Sequence, residues 1–208
     1  MLKSHKTTGI TKILELPFFY NLQQLITGAE KAKYNLIQEY VAPFENAKIL
    51  DIGCGTGIAL EYMKVKIEYV GFDINQEYID FANKKYYGAG RFYCSDVNNF
   101  HQIEDNFDIV MAIGILHHLS DSESEKLIYM ANNALKKGGY FVMAEPVWTD
   151  NQSFLERFLM KQDRGTNIRN EIGYTKLLEK FFSLTESYVR TGIINIPWTV
   201  LIKRSQKS

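Results

Sequence analysis

Cysteine is scarce in this chain of 208 residues: there are only Cys54 and Cys94, both in expected strand ends and without the spacing of a metal-ligand pair. Both read as reduced thiols, and no metal is expected. An excess of either charge is missing too, since Lys plus Arg and Asp plus Glu each total 24. A formal net charge of zero gives no general attraction to a polyanion such as bulk nucleic acid, so charge recognition must be local. Long apolar runs are also absent. The opening "MLKSHKTTGITK" has no apolar core of signal-peptide length, and no window reaches the roughly 18 uncharged apolar residues of a membrane span. A soluble, cytoplasmic protein is the expectation. There is no internal repeat and no low-complexity segment. What is plentiful is apolar content, 46% of residues, enough for one domain with a full core.

Short apolar runs alternate with amphipathic helices. "KILDI" reads as a buried strand, followed by the glycine-rich "GCGTG". "EYVGFDI" is a second strand, and the helix after it carries Ile79, Ala82 and Tyr86 on one face. "GRFYCSDV" and "FDIVMAIGIL" are the third and fourth strands. In the next helix Ser122 and Glu125 have the spacing of a capping box, and Leu127, Met130, Ala131, Ala134 and Leu135 form the core face. Lys136, Lys137, Gly138 and Gly139 would close that helix. "YFVMAEP" is the fifth strand. This alternation predicts an α/β domain with a doubly wound, mostly parallel sheet. Residues 1–46 read as an N-terminal helical cap, 47–146 as the α/β core, and 147–208 as two further helices followed by two closing strands.

Ligands of open α/β sheets bind beyond the carboxyl ends of the strands. The first strand delivers Asp51 and the loop of Gly53, Cys54, Gly55 and Gly57, where missing side chains allow close approach to the backbone. The second delivers Asp73, an acceptor for both hydroxyls of a ribose. A dinucleotide-binding loop would have G-x-G-x-x-G, but Ile58 stands where its third glycine belongs. The third strand ends in Ser95 and Asp96, suited to an adenine amino group. No Lys or Arg accompanies the loop to neutralise a pyrophosphate. The expected ligand therefore lacks phosphate and carries positive charge.

The motifs "ILDIGCGTG", "VGFDI", "SDV", "FDIVMAIGILHHL" and "LKKGGYFVMAEP" together resemble the class I S-adenosylmethionine-dependent methyltransferases. The flanking "FFYNLQQLITGA", "QSFLERFLMKQDRGTNIR" and "IPWTVLIK" resemble a narrower subgroup without a well-defined acceptor. The resemblance implies a Rossmann-like fold of seven strands with the last inserted antiparallel, and S-adenosyl-L-methionine as cofactor. It places Gly53, Cys54, Gly55 and Gly57 along the methionine moiety, with Asp51 at its ammonium. Asp73 would take the ribose, Ile74 and Val97 the faces of the adenine, Asp96 its amine, and Ile113 and Gly114 the sulfonium. Structural duties compete: Cys54 suits filling a small space, and Asp96 suits capping a helix.

Acid–base help, where the acceptor must lose a proton, falls to His117, His118 and Glu145 at the ends of the fourth and fifth strands, although "LHHL" occurs in this family whatever the acceptor. There is no Asn-Pro-Pro-Tyr after the fourth strand, no carboxylate trio for magnesium and no basic stripe. A small-molecule acceptor with an oxygen or nitrogen nucleophile remains, walled by Phe18, Phe19, Tyr20 and Trp148 unless these are core. Arg164 and Arg169 in "DRGTNIR" suit an anionic metabolite, or else pair with Asp163, Glu171 or Glu156. Two other readings stay open: a catalytically inactive cofactor-binding regulator or scaffold, and a nucleic-acid methyltransferase that needs a partner subunit. The sequence does not settle oligomeric state.

Overall fold

In the computed structural model the described residues are 29–96, 106–163 and 165–208, so most of the expected N-terminal cap lies outside them. A first helix, α1 (Ala29–Leu36), widens into a π-type turn over Ile37–Val41 and stops where Ala42 turns left-handed. The chain then enters β1 (Lys48–Ile52), and β2 (Glu68–Asp73) lies parallel to it. Helix α2 (Gln76–Lys85) starts at Asn75, whose side chain accepts the N–H groups of Glu77 and Tyr78. Ile79, Ala82 and Tyr86 are buried as their spacing predicts. Strands β3 (Arg91–Cys94) and β4 (Phe107–Ile113) follow.

Helix α3 (Asp121–Ala134) starts two residues earlier than the Ser122 expectation. The N-cap is Ser120: its hydroxyl accepts the N–H of Glu123, and Glu123 reaches back to the Ser120 N–H at 2.9 Å. "SDSESE" contains the capping spacing twice, and the extended backbone at Ser120 decides which copy is used. The other end also differs from expectation. Leu135 is already extended and opens β5 (Leu135–Trp148), while Lys136 pairs with Asp108 at 2.8 Å instead of facing a helix terminus. Gly138 and Gly139 exchange backbone hydrogen bonds with Lys207, so the sheet claims the residues that local chemistry would assign to a helix stop.

Beyond β5 lie α4 (Phe154–Lys161), the short β6 (Arg169–Asn170), α5 (Glu171–Leu178), β7 (Leu184–Thr191) and β8 (Thr199–Gln206). The sheet order is β3-β2-β1-β4-β5-β8-β7, with β6 paired off this path against the end of β5. Strands β1 to β5 are parallel, and β8 is inserted antiparallel between β5 and β7. The expected mostly parallel, Rossmann-like sheet is thus the observed one. Strand order reverses between β1 and β4, which opens a crevice at their carboxyl ends.

Both faces are covered. Leu127, Ile128, Ala131, Tyr174, Leu177 and Leu178 bury one face over Leu50, Ile52, Val110, Phe141 and Met143. Leu36, Ile37, Val41, Ile79 and Ala82 bury the other over Ile49, Tyr69, Ile109, Met111 and Val142. Central strands covered on both sides explain why their sequences are apolar runs without alternation. Among the described residues no helix is long and apolar enough to cross a membrane.

Candidate functional site

The glycine loop leaves β1 in a tight turn. Gly53 and Cys54 both donate to the carbonyl of Phe72, at 2.8 and 3.0 Å, which ties the loop to β2. A Cβ at Gly53 would lie 2.6 Å from Ile115 Cδ1, and one at Gly57 would lie 2.6 Å from Phe92 Cε1. These glycines are packing contacts. Gly55 shares their left-handed backbone, with φ +55° against +74° at both, but among the described residues a Cβ there would find nothing within 4 Å. Gly114, across the crevice at the end of β4, has φ +71°, and among the described residues a Cβ there would meet only His117 Cε1, at 3.9 Å. Among the described residues nothing fills the space beside these two left-handed, bare positions. Cys54 is buried with its side chain against the bare backbone of Gly71, and burial raises its thiol pKa. Ile113 is half-buried against the core beside Gly114.

Asp73 stands at the rim. Its Oδ2 accepts the Gly55 N–H at 3.0 Å and its Oδ1 the Asn75 N–H at 2.9 Å. The carboxylate thus braces the loop, a duty the sequence did not disclose. Burial raises its pKa against these hydrogen bonds. Ile74, next to it, is 61% exposed, an apolar surface at the crevice edge. Asp51 lies deeper. It accepts the Tyr69 hydroxyl, and burial, partly offset by that bond, raises its pKa to about 6. Asp96 is half-buried just past β3. Val97, Tyr20 and Arg164 lie outside the described residues.

The ends of β4 and β5 meet in a polar cluster. Glu145 has no exposed surface, yet its carboxylate is fully occupied. Oε1 accepts the N–H groups of Ile115 and Leu116 at 2.9 and 2.8 Å, and Oε2 accepts the His117 N–H at 3.3 Å and lies 2.5 Å from His117 Nδ1. The side chain thereby caps the short helical turn Leu116–His118. His117 Nε2 lies 3.2 Å from Asp163 Oδ1. Burial disfavours charge on this imidazole, but the bonds to Asp163 and Glu145 outweigh it and raise its pKa to about 9. Asp163 is held below the usual carboxylate range: burial opposes this, and His117 and the Gly165 N–H, 2.6 Å away, bring it about. Gly165 lies directly on the imidazole, where a Cβ would sit 2.0 Å from His117 Cδ2. His118 is exposed, its ring centroid 4.0 Å from that of His117. Trp148 is half-buried at the far end of β5, in register with Asn170.

Arg169 turns inward, its side chain 11% exposed. Nε donates to Asp121 at 2.8 Å, Nη1 to the carbonyls of Leu116 and Asn167, and Nη2 to the Leu119 carbonyl and the Ser124 hydroxyl. Every donor of the fork has an acceptor within the protein. Its ion-pair partner is Asp121, not Asp163, Glu171 or Glu156. Arg169→Ala should strip two turn carbonyls of their partners and cost about 1–3 kcal/mol, lowering the melting temperature by roughly 2–4 °C per kcal/mol. Cofactor affinity should stay near wild type. An unchanged melting temperature with a raised acceptor KM would return Arg169 to the acceptor.

Residues 49–139 match the family model described as a methyltransferase domain. Over that stretch, less than half of the chain, the likeness is to a methyltransferase domain. The chain is 26% identical over 160 residues to the phosphoethanolamine N-methyltransferase of Plasmodium falciparum, covering 74% of this chain and 60% of that protein. It is 30% identical over 113 residues to the ubiquinone biosynthesis O-methyltransferase of Proteus mirabilis, covering 52% and 45%. The solved structure of phosphoethanolamine N-methyltransferase 2 of Haemonchus contortus, in complex with S-adenosyl-L-methionine, superposes with a TM-score of 0.73 at 13% identity, over 97% of this chain and 60% of that one. This last likeness is one of fold. Against two uncharacterised proteins of Rickettsia prowazekii and the Plasmodium enzyme, the chain spans 27%, 60% and 60% of their lengths.

The crevice fits S-adenosylmethionine, the cofactor that the sequence resemblance implies. Among the described residues nothing fills the space beside the bare backbone of Gly55 and Gly114, Asp73 offers acceptor oxygens at the rim, and Ile74 is the apolar surface beside it. Asp163 was visible in the sequence only as an arginine partner. That it contacts His117 follows from how the segment after α4 returns over β4, for which no local signal exists.

Proposed function

We propose that this chain transfers the methyl group of S-adenosylmethionine to a small-molecule acceptor with an oxygen or nitrogen nucleophile. The observation that carries the reading is the crevice itself: a bare glycine cradle with Asp73 at one side and the His117–Glu145 cluster at the other, 3.9 Å from the open face of Gly114. Relatives named phosphoethanolamine N-methyltransferase and ubiquinone biosynthesis O-methyltransferase support a small acceptor of either nucleophile type. The cofactor supplies a methyl carbon already activated by its sulfonium.

The protein's own share is alignment and exclusion of water. In this reading the loop of Gly53, Cys54, Gly55 and Gly57 receives the methionine moiety, and Asp51 meets its ammonium. Asp73 takes the ribose hydroxyls, Ile74 covers one adenine face, and Asp96 accepts from the adenine amine. Gly114 and Ile113 border the reacting methyl. Glu145 and His117 act as positioning residues, since the carboxylate is spent on four donors and both imidazole nitrogens face carboxylates. With the Arg169 fork engaged, an anionic acceptor would have to find its cation elsewhere.

Calorimetric titration with S-adenosylhomocysteine and with NAD, followed by a screen of small hydroxyl and amine acceptors for transfer of labelled methyl, tests the proposal. Binding of S-adenosylhomocysteine without NAD, and turnover of at least one acceptor, is expected. Tight binding of NAD alone would overturn it.

A further inference from the structure

The geometry points to a divalent transition-metal site built by His117, His118 and Asp163 at the mouth of the crevice. One ligand atom from each residue lies within 4.8 Å of the other two. Two donors each about 2.1 Å from one ion stand about 3.0–3.4 Å apart, for angles between a right angle and the tetrahedral one. His117 Nε2 and Asp163 Oδ1 already stand 3.2 Å apart. An ion would take the place of the proton between them. His118 completes the set by turning its ring inward, and its exposure leaves room for that rotation.

Glu145 makes this more than three neighbouring side chains. Buried and anchored by three backbone N–H groups, it holds the Nδ1–H of His117, which leaves Nε2 as the nitrogen that ligates. A carboxylate behind a histidine is the outer arrangement that fixes tautomer and ring orientation in metal sites. Asp163 is steered likewise by the Gly165 N–H, and the backbone of residue 165 lies flat against the imidazole. Two imidazoles and one carboxylate suit Zn²⁺, Co²⁺ or Fe²⁺ better than the oxygen-seeking Mg²⁺ or Ca²⁺. Three protein ligands leave a position open, as catalytic sites do. Cε1 of His117 is the neighbour of Gly114's open face, so that position lies on the acceptor side. An acceptor hydroxyl bound there would release its proton to water near neutral pH. Binding of the ion stands by itself, whereas its use in catalysis rests on the methyl-transfer reading.

Protein stripped with a chelator and dialysed is titrated with Co²⁺ and separately with Zn²⁺, by calorimetry and by the visible absorption of bound Co²⁺. One ion per chain is expected, with a d–d spectrum of low coordination number. His118→Gln and Asp163→Asn should each weaken binding at least tenfold, and Glu145→Gln should weaken it about 10- to 100-fold through His117. Circular dichroism of His118→Gln, which alters an exposed side chain, checks that the fold is kept. Absence of stoichiometric binding, or wild-type binding by both His118→Gln and Asp163→Asn, would overturn the site. S-adenosylhomocysteine titrated into the same samples keeps the two proposals separable: cofactor binding without metal sinks only this one, and metal without cofactor sinks only the methyl-transfer reading.

Discussion

Asp73→Ala is expected to weaken S-adenosylhomocysteine binding about 30- to 1000-fold, corresponding to roughly 2–4 kcal/mol, with the fold preserved. A carboxylate has about four lone-pair positions, and Gly55 and Asn75 use one on each oxygen. The Ile74 N–H adds to them, and a ribose would use the acceptor capacity that is left. The substitution removes those acceptors and also releases the Gly55 N–H from its brace, so the cradle loses preorganisation along with contact. Because Asp73 is only partly buried and ends its strand, the sheet has little to lose. Circular dichroism should match wild type, and calorimetry should show the whole effect. Wild-type affinity in the variant would mean that Asp73 does not meet the cofactor.

Glu145→Ala is expected to cost about 3–5 kcal/mol of stability, the range for removing one member of a buried charged pair. For a domain of this size that lowers the melting temperature by roughly 2–4 °C per kcal/mol. The side chain has no exposed surface and serves the N–H groups of Ile115, Leu116 and His117 as well as the His117 ring. Alanine leaves all four donors without an acceptor and water no easy way in. The damage should reach the cofactor loop, because Ile115 packs against Gly53 within the space a Cβ would need. Weaker S-adenosylhomocysteine binding should therefore accompany the lowered melting temperature. A variant that melts like wild type would show that the turn does not depend on Glu145.

Much of the strand-end edge was legible because its signals are local. The loop glycines, Asp51, Asp73 and Ile74 follow directly from their strands, and strand ends of a parallel sheet share one edge, so spacing along the chain places them together. Helix α3 shows where local signals stop deciding. Ser120 and Ser122 both offer a cap, and Lys136 to Gly139 read as a helix stop, but pairing of β5 with β4 and with the chain's end outweighs the local preference. The Arg169 fork is a stronger case, since nothing near it in the sequence names Asp121, Leu116 or Leu119 as its partners.

By itself the sequence determined the α/β alternation, the mostly parallel sheet, and the glycine loop and carboxylates gathered at one of its edges, because periodicity, glycine spacing and strand-end position act through neighbours a few residues apart. Only the tertiary structure decided what gathers at the ends of β4 and β5. Residues 117, 145 and 163 come from three separate segments, and they meet because β5 lies beside β4 and the chain after α4 folds back over both. Burial then removes water as the competing partner for their charges. Each group's role is set by the donors and acceptors that the fold brings to it. A histidine that reads as a base becomes a held imidazole, and an arginine that reads as an anion clamp becomes a bracket for a turn.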